Sequence, residues 1–479
     1  MIYKFQSILS KIILICVAIF TSLVFLLMLT FYYHNFLSQN VSRNIPVLII
    51  FFAIILLVGY LLVRIRTDSK KINIGLLIVM LLAFSITALV WILNVPNAQI
   101  SDFGNFWTRA PGFLDGYKLY ETDNDYFSKY AYQSGFMVYI IGIVKVFGFN
   151  IFVVQFLNVV YQALTLLMTY LLANKIFNNI KIARLSVLLL MVDIDWFALN
   201  SQADNQYLGS LLYLVTFYLL FNDKLWSYVL AGVSLTLACL IRPIGPVFIA
   251  GIIVFVLIFI LMKHRDYKTG LSFLLTLAIY FVLFSLSGWG IKAAGINDYG
   301  LSNNDPQWKF LSGLNYQSGG TYSNDLNKFI DASKSRSHMK KIENTQLKSE
   351  ITYLNENNAW LKLFINKTQT LWSSRTLATD FTDYAKKHSP KTVDWINYIA
   401  YMGSIVLIVF SWIGSLALFK SKFDDKFYLL LLPLMAFAVI NLIIEVQPRY
   451  RIEFLPIISI LAGLGLNNVF LAIKNIKKA

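Results

Sequence analysis

The sequence predicts an all-α polytopic membrane protein: a bundle of about 12 transmembrane helices with a small extracytoplasmic loop region. Three observations predict it. Of 479 residues, 57% are hydrophobic and only 14% charged, more apolar surface than a soluble domain can bury. Apolar runs near the ~20 residues that a bilayer-spanning helix needs recur along most of the chain. The basic residues behind the net charge of +16 sit in short connections between those runs, as cytoplasmic loops do. A nucleic-acid binder would gather such charge on one soluble face, so nucleic acid is excluded as a partner.

Thirteen apolar segments lie near 12–32, 45–63, 73–94, 134–149, 151–173, 185–199, 205–222, 225–241, 244–262, 270–289, 393–419, 427–444 and 454–473. The first is followed by no small-residue cleavage site and reads as an anchor helix. Basic connections fall at Arg64/Arg66/Lys70/Lys71, Lys175/Lys181/Arg184, Lys263/Arg265/Lys268 and Lys420/Lys422/Lys426. Lys4 and Lys11 mark one terminus, and Lys474, Lys477 and Lys478 the other; all six regions are expected to be cytoplasmic. Two cytoplasmic ends require an even number of crossings, yet thirteen segments are present. The acidic stretch 95–131 belongs outside and the basic 174–184 connection inside, so only one crossing fits between them. The short segment 134–149, interrupted by Gly142 and Lys145, is therefore expected to be re-entrant or interfacial.

This parity divides the chain into an N-terminal transmembrane region (1–290) carrying the outer loop 95–131, an extracytoplasmic loop region (291–392) and a C-terminal transmembrane region (393–479). Within the loop region, 325–356 reads as a polar amphipathic helix and 359–372 as an apolar, aromatic helix near the interface. Cys16 and Cys239 both lie inside apolar runs, so the outer loops have no disulfide.

The candidates for chemistry gather at the outer ends of the spans. Asp102, in Ser101-Asp102-Phe103-Gly104, follows the third span by a few residues. A carboxylate at that height meets a lipid headgroup and accepts a proton, though Asp is also a common helix N-cap. Asp204, before the helix that starts at 205, admits the same two readings. Asp193 and Asp195 lie near the end of an apolar run, where ionisable groups need a partner; in an unwound stretch they would share a divalent cation. Trp196 behind them reads as an interface anchor. Arg242 and the run Arg449-Tyr450-Arg451 place arginines on the side that the charge rule disfavours. Bidentate phosphate binding accounts for them, as does snorkelling or pairing with Glu445 and Glu453. Lys367 begins an interfacial aromatic stretch and joins the group of phosphate candidates, against the alternative of a solvated lysine. The four histidines have no metal-ligand spacing, and no nucleotide-binding Gly-rich loop or nucleophile elbow occurs.

The order of these motifs is itself a pattern. Ser101-Asp102-Phe103 is followed by Tyr130-Ala131-Tyr132-Gln133-Ser134-Gly135, then Asp204, then Ile241-Arg242-Pro243. A large late loop with Gly313-Leu314-Asn315 and Gly319-Gly320 precedes a final Gln447-Pro448-Arg449-Tyr450-Arg451. In order and sidedness this resembles the GT-C superfamily, in the bacterial branch similar to protein O-mannosyltransferases and aminoarabinose transferases. The His-Pro-Pro stretch of the protein mannosyltransferases is absent; Tyr132-Gln133 stands in that region, and two extra spans precede the one leading to Asp102. The resemblance implies an inverting glycosyltransferase in the cell membrane, taking sugar from a polyprenyl-phosphate donor to a cell-envelope polymer, glycolipid or protein on the outer face. It implies Asp102 as general base, with Asp204 orienting acceptor or sugar, or holding a divalent metal if one is used. Arg242, Arg449, Tyr450, Arg451 and Lys367 are implied at the lipid phosphate, and Tyr132 and Gln133 at the acceptor or sugar. A lipid-linked polysaccharide polymerase or ligase also uses outer arginines, but has no need of the Asp102–Asp204 arrangement. A transporter or flippase would carry midplane charges and an internal repeat, neither of which is evident.

Overall fold

A computed structural model describes residues 2–38, 40–329, 331, 334–373 and 377–476. Lys477 and Lys478 of the basic C-terminus lie outside the described residues, as does the side chain of Lys4. Among the described residues every regular element is helical. Helices begin where the sequence supplies caps. Asn40 accepts from the Arg43 amide and Ser69 from that of Ile72, while Asp266 and Ser389 cap Thr269 and Thr392. In chain order the helices are α1 (Ile2–Tyr32), α2 (Val41–Arg64), α3 (Lys70–Asn94), α4 (Ser101–Leu114), α5 (Ser134–Phe147) and α6 (Ile151–Phe177). Then come α7 (Ile180–Met191), α8 (Gln206–Leu220), α9 (Leu225–Ile241), α10 (Gly245–Phe255, continued to His264 as a π-helix) and α11 (Tyr267–Ala293). The loop region holds α12 (Pro306–Leu314), α13 (Arg336–Glu356) and α14 (Trp360–Thr368), and the chain closes with α15 (Pro390–Ala417), α16 (Tyr428–Ile440) and α17 (Leu455–Ile476). Among the described residues, eight helical segments are long and apolar enough to cross a membrane, and shorter apolar helices accompany them.

The connections sort onto two faces. On one, Lys175 bonds Asn222 and Lys426 bonds Asp223 at 2.7 Å each, and the Asp424 amide donates to Ile176 O. Arg184 belongs to this face but is buried, donating to the carbonyls of Leu62, Ile65 and Arg66 at 2.8–2.9 Å and so capping the end of α2. All the expected basic connections lie here. The opposite face carries every long loop. There Lys387 reaches Leu93 O, and Gln155 reaches Asn97. Helices α1–α3, α6–α11 and α15–α17 run between the faces. Helix α5 does not. It starts against the Leu240 carbonyl at the loop-face end of α9, where Gly135 has no room for a Cβ. Its far end returns to the same face, where Phe149 stacks on Trp107 of α4 at 4.4 Å. In between it dips far enough for Tyr139 to bond Tyr161 of α6 at 2.8 Å. Thus α5 begins and ends on the loop face, while the described ends of α1 and α17 lie on the basic face.

The centre of the bundle is α6, α7, α15 and α17, drawn together by small residues. A Cβ on Gly414 of α15 or Gly465 of α17 would strike the backbone of the other helix. Helices α1–α3 and α11 instead expose Ile19, Leu93, Leu271 and similar side chains outward, as lipid-facing helices do. Two local expectations change. Trp196 is wholly buried against Phe84 rather than at an interface, because the chain between α7 and α8 folds into the protein. The polar helix expected at 325–356 starts only at Arg336, where Ser335 caps His338; a single turn, Asn324–Asn327, precedes it.

Candidate active site

The chain between α3 and α4 is laid against the chain between α7 and α8 by two glutamines. Gln99 donates to Ser201 O and accepts from the Ala203 amide, and Gln202 accepts from the Ile100 amide and donates to Ala98 O. This clasp brings Asp102 and Asp204 to one place although a hundred positions separate them. Ser101 enters α4 with a left-handed backbone (φ 53°), a conformation that non-glycine residues rarely hold. Asp102 sits inside the first turn of α4 and does not cap it. Its carboxylate pairs with the Arg449 guanidinium, which lies over the Phe103 ring at 4.9 Å.

Arg449 comes from the 3-10 turn Pro448–Phe454 that leads into α17. Its Nε donates to Gln447 at 2.7 Å, Gln447 donates to Glu445 at 2.7 Å, and Lys309 donates to the other oxygen of Glu445 at 3.1 Å. A second cation stands alongside. Arg242, at the end of α9, pairs with the buried Glu453 and lies 5.3 Å from the centre of the Tyr450 ring. Gln206 binds both Glu453 (3.0 Å) and the Arg449 carbonyl, fixing the start of α8 to the turn. Asp204 lies behind the two arginines. Its Oδ1 accepts from the Gln206 amide at 3.0 Å in cap-like fashion, and its Oδ2 is buried with no hydrogen-bond partner among the described residues. Burial pushes its carboxyl up to about 7, against the pull of the Gln206 amide, Arg449 and Arg242.

Asp102, Tyr132, Gln133, Arg242, Arg449 and Tyr450 line one cavity of about 1190 Å³ on the loop face. Asp204 feels the charge of both arginines but does not line the cavity. Two phosphate candidates are turned elsewhere. Arg451 points inward and bonds Asp195 at 2.9 Å and Leu371 O at 3.3 Å. Lys367 lies in α14 and donates to Gly313 O (2.5 Å) and Ile444 O (2.8 Å), holding the loop region against the chain that carries Glu445. Burial depresses its ammonium to about 7. Neither lines the cavity, so the expectation that they meet a phosphate is not met by the geometry. The aspartates expected to share a cation are likewise engaged. Asp195 accepts from Arg451 and from the amides of Leu377 and Ala378, and Asp193 accepts from Ser404 at 3.0 Å. Among the described residues no three His, Cys, Asp or Glu side chains gather as a metal site.

Sequence reading missed several cavity residues: Lys309, Tyr126, Tyr130, Trp308 and Lys129. The start of α12 was legible in Asp305-Pro306, since Asp305 caps Trp308 and proline favours the first turn. That Lys309 then faces Glu445 is a tertiary fact. Burial opposes the Lys309 charge, yet Glu445 and the phenols around it raise its ammonium well above the ordinary value.

The chain is similar to known proteins over part or most of its length. Residues 136–289, from α5 to α11, match the family described as dolichyl-phosphate-mannose-protein mannosyltransferases, the kind of glycosyltransferase that the motif order resembles. The matched stretch contains Asp204 and Arg242 and stops short of Asp102 and Arg449 on either side. Among solved structures, the archaeal oligosaccharyltransferase AglB from Archaeoglobus fulgidus, in complex with an inhibitory peptide and a dolichol-phosphate, superposes with a TM-score of 0.47 and 13% identity, over 84% of this chain and 51% of AglB. ArnT from Cupriavidus metallidurans, bound to undecaprenyl phosphate, gives a TM-score of 0.37 and 13% identity, over 81% of this chain and 77% of ArnT. The chain thus spans about half the length of AglB. No curated protein sequence matches it.

Proposed function

We propose that the chain is an inverting membrane glycosyltransferase, carrying sugar from a polyprenyl-phosphate donor to a hydroxyl acceptor at the extracytoplasmic surface. One observation carries the reading: a carboxylate (Asp102) and two guanidinium groups (Arg449, Arg242) meet on the wall of a cavity on the face opposite the basic connections. By the charge rule the basic face is cytoplasmic, which puts this cavity outside.

The chemistry follows from those groups. The polyprenyl phosphate of the donor lies at Arg449, Arg242 and Tyr450, with its apolar chain toward Ile244, Phe284 and Phe437 on the same wall. The phosphate takes up guanidinium hydrogen bonds that Arg449 otherwise gives to Asp102, leaving the carboxylate oxygens free to accept a proton. The acceptor hydroxyl transfers its proton to Asp102 as its oxygen bonds to the anomeric carbon from the face opposite the phosphate. The bond from that carbon to the phosphate oxygen breaks, and its electron pair leaves on the lipid phosphate, stabilised by both arginines. Asp204 acts from behind, holding Arg449 and Arg242 by charge and the start of α8 by hydrogen bond; Tyr132 and Gln133 face the sugar.

The experiment is sugar transfer from a polyprenyl-phosphate-linked donor by the purified chain, paired with Asp102→Asn. General-base loss lowers turnover by ~10²–10⁴-fold while the variant still binds undecaprenyl phosphate. Turnover within a few-fold of the parent would remove Asp102 as the base.

A further inference from the structure

The cavity is a large one. Its 1190 Å³ exceeds the ~300–1,000 Å³ of a site for one small molecule. It is also two-ended. A row of alternating cations and rings leads away from the apolar end: Arg242 to Tyr450 (5.3 Å), Lys309 to Tyr450 (5.7 Å) and to Tyr130 (5.9 Å), Lys129 to Tyr130 (5.5 Å) and to Trp308 (5.4 Å). At the far end the wall changes character, from Ile244 and Phe437 to Asn105, Tyr126, Tyr130 and Asn327. Among the described residues, the hydroxyls of Tyr126, Tyr130 and Tyr132 and the amides of Asn105 and Asn327 have no hydrogen-bond partner, though all line the cavity.

Resting on the donor reading above, we propose that this far end is the acceptor subsite and that it takes a neutral saccharide, so that the attacking hydroxyl belongs to a glycan. Three features select that ligand. Ring faces beside unpartnered hydroxyls and amides match the apolar faces and the dense donor–acceptor edges of a sugar. The charges cancel: Lys129 lies 3.7 Å from Asp305 and Lys309 3.1 Å from Glu445, so the two lysines of this row are already paired and offer an anionic acceptor little. Strand addition, one way of holding an extended peptide, has no sheet edge to use, since no strand occurs among the described residues.

The test needs no donor. The full chain in lipid nanodiscs is offered neutral trisaccharides (glucose, mannose and N-acetylglucosamine, α- and β-linked) and, separately, a Ser/Thr-rich hexapeptide, with binding read by saturation-transfer NMR. At least one trisaccharide is expected to bind, roughly tenfold more weakly to Tyr130→Ala. Asn327→Ala, at an exposed position that leaves the fold intact, should weaken the same trisaccharide. No bound trisaccharide, a trisaccharide indifferent to both changes, or a peptide that binds and is lost in Tyr130→Ala, each overturns the proposal. Undecaprenyl phosphate binding is measured on the same samples. Its absence with saccharide binding intact refutes the donor reading alone, and the reverse refutes the acceptor subsite alone.

Discussion

Arg449 and Arg242 look alike in the sequence, but their removal should have opposite consequences. Both guanidinium groups are sealed, with side chains 3% and 9% exposed. Their acids differ: the Asp102 side chain is 29% exposed and that of Glu453 is 0%. Arg449→Ala leaves a carboxylate that water can solvate, so the fold loses little. Arg242→Ala leaves Glu453 charged and buried, with Gln206 as its remaining side-chain partner, a situation that destabilises by ~3–5 kcal/mol. For a chain of this size that is a fall in unfolding temperature of roughly 3–10 °C. For the ligand the order reverses. Arg449 donates to a carboxylate that a phosphate replaces, a charge-assisted bond of ~1.5–3 kcal/mol, so Arg449→Ala should weaken undecaprenyl phosphate by roughly 10–150-fold. The assay is thermal unfolding in nanodiscs with and without undecaprenyl phosphate. Arg449→Ala should unfold near the parent temperature and lose most of the ligand-induced rise. Arg242→Ala should start several degrees lower. If Arg242→Ala is as stable as Arg449→Ala, or if Arg449→Ala keeps the full rise, sorting the pairs by the exposure of the acid is wrong.

Three further outcomes follow from the same geometry. Arg451→Leu should destabilise by ~3–5 kcal/mol through the stranded Asp195, and Arg451→Leu with Asp195→Asn should regain part of it in the same unfolding assay. Lys367 is depressed to about 7 in the fold from 10.5, so between those values the unfolded chain holds the extra proton; its contribution to stability is full above 10.5 and lost as pH falls through 7. Lys367→Met should flatten that rise between pH 7 and 10, and a parent chain whose stability is already flat there contradicts the assignment. Ser101→Gly should stabilise or leave stability unchanged because glycine accepts φ 53°, whereas Ser101→Val should destabilise by ~1–3 kcal/mol; the reverse ranking by unfolding temperature would mean that the backbone there is unstrained.

How much of this was legible depended on whether a signal is local. Span positions and the basic face follow from hydropathy and charge in consecutive residues, and the bundle matches them. The parity count asked for one segment that does not cross, and the shortness of 134–149 and its interruption by Gly142 and Lys145 pointed to α5; its path is set by the contacts of Gly135, Tyr139 and Phe149. Asp102, Arg242 and Arg449 could be grouped because all three sit at loop-face ends of spans, and that height is encoded locally. Glu453 was already a pairing candidate for the arginines, but Lys309 and Tyr130 were not, since they come to the site from distant parts of the chain. Arg451 shows most clearly why adjacency misleads. Arg449-Tyr450-Arg451 reads as one basic patch, but Pro448–Phe454 is a 3-10 turn in which successive side chains are ~120° apart. Arg449 therefore turns to Asp102, Tyr450 to Arg242 and Arg451 into the core toward Asp195. The same period brings position 453 back under position 450, which is why the Tyr450 ring and the Glu453 carboxylate both meet Arg242. A helix of 3.6 residues per turn would have swung Glu453 some 60° from that alignment.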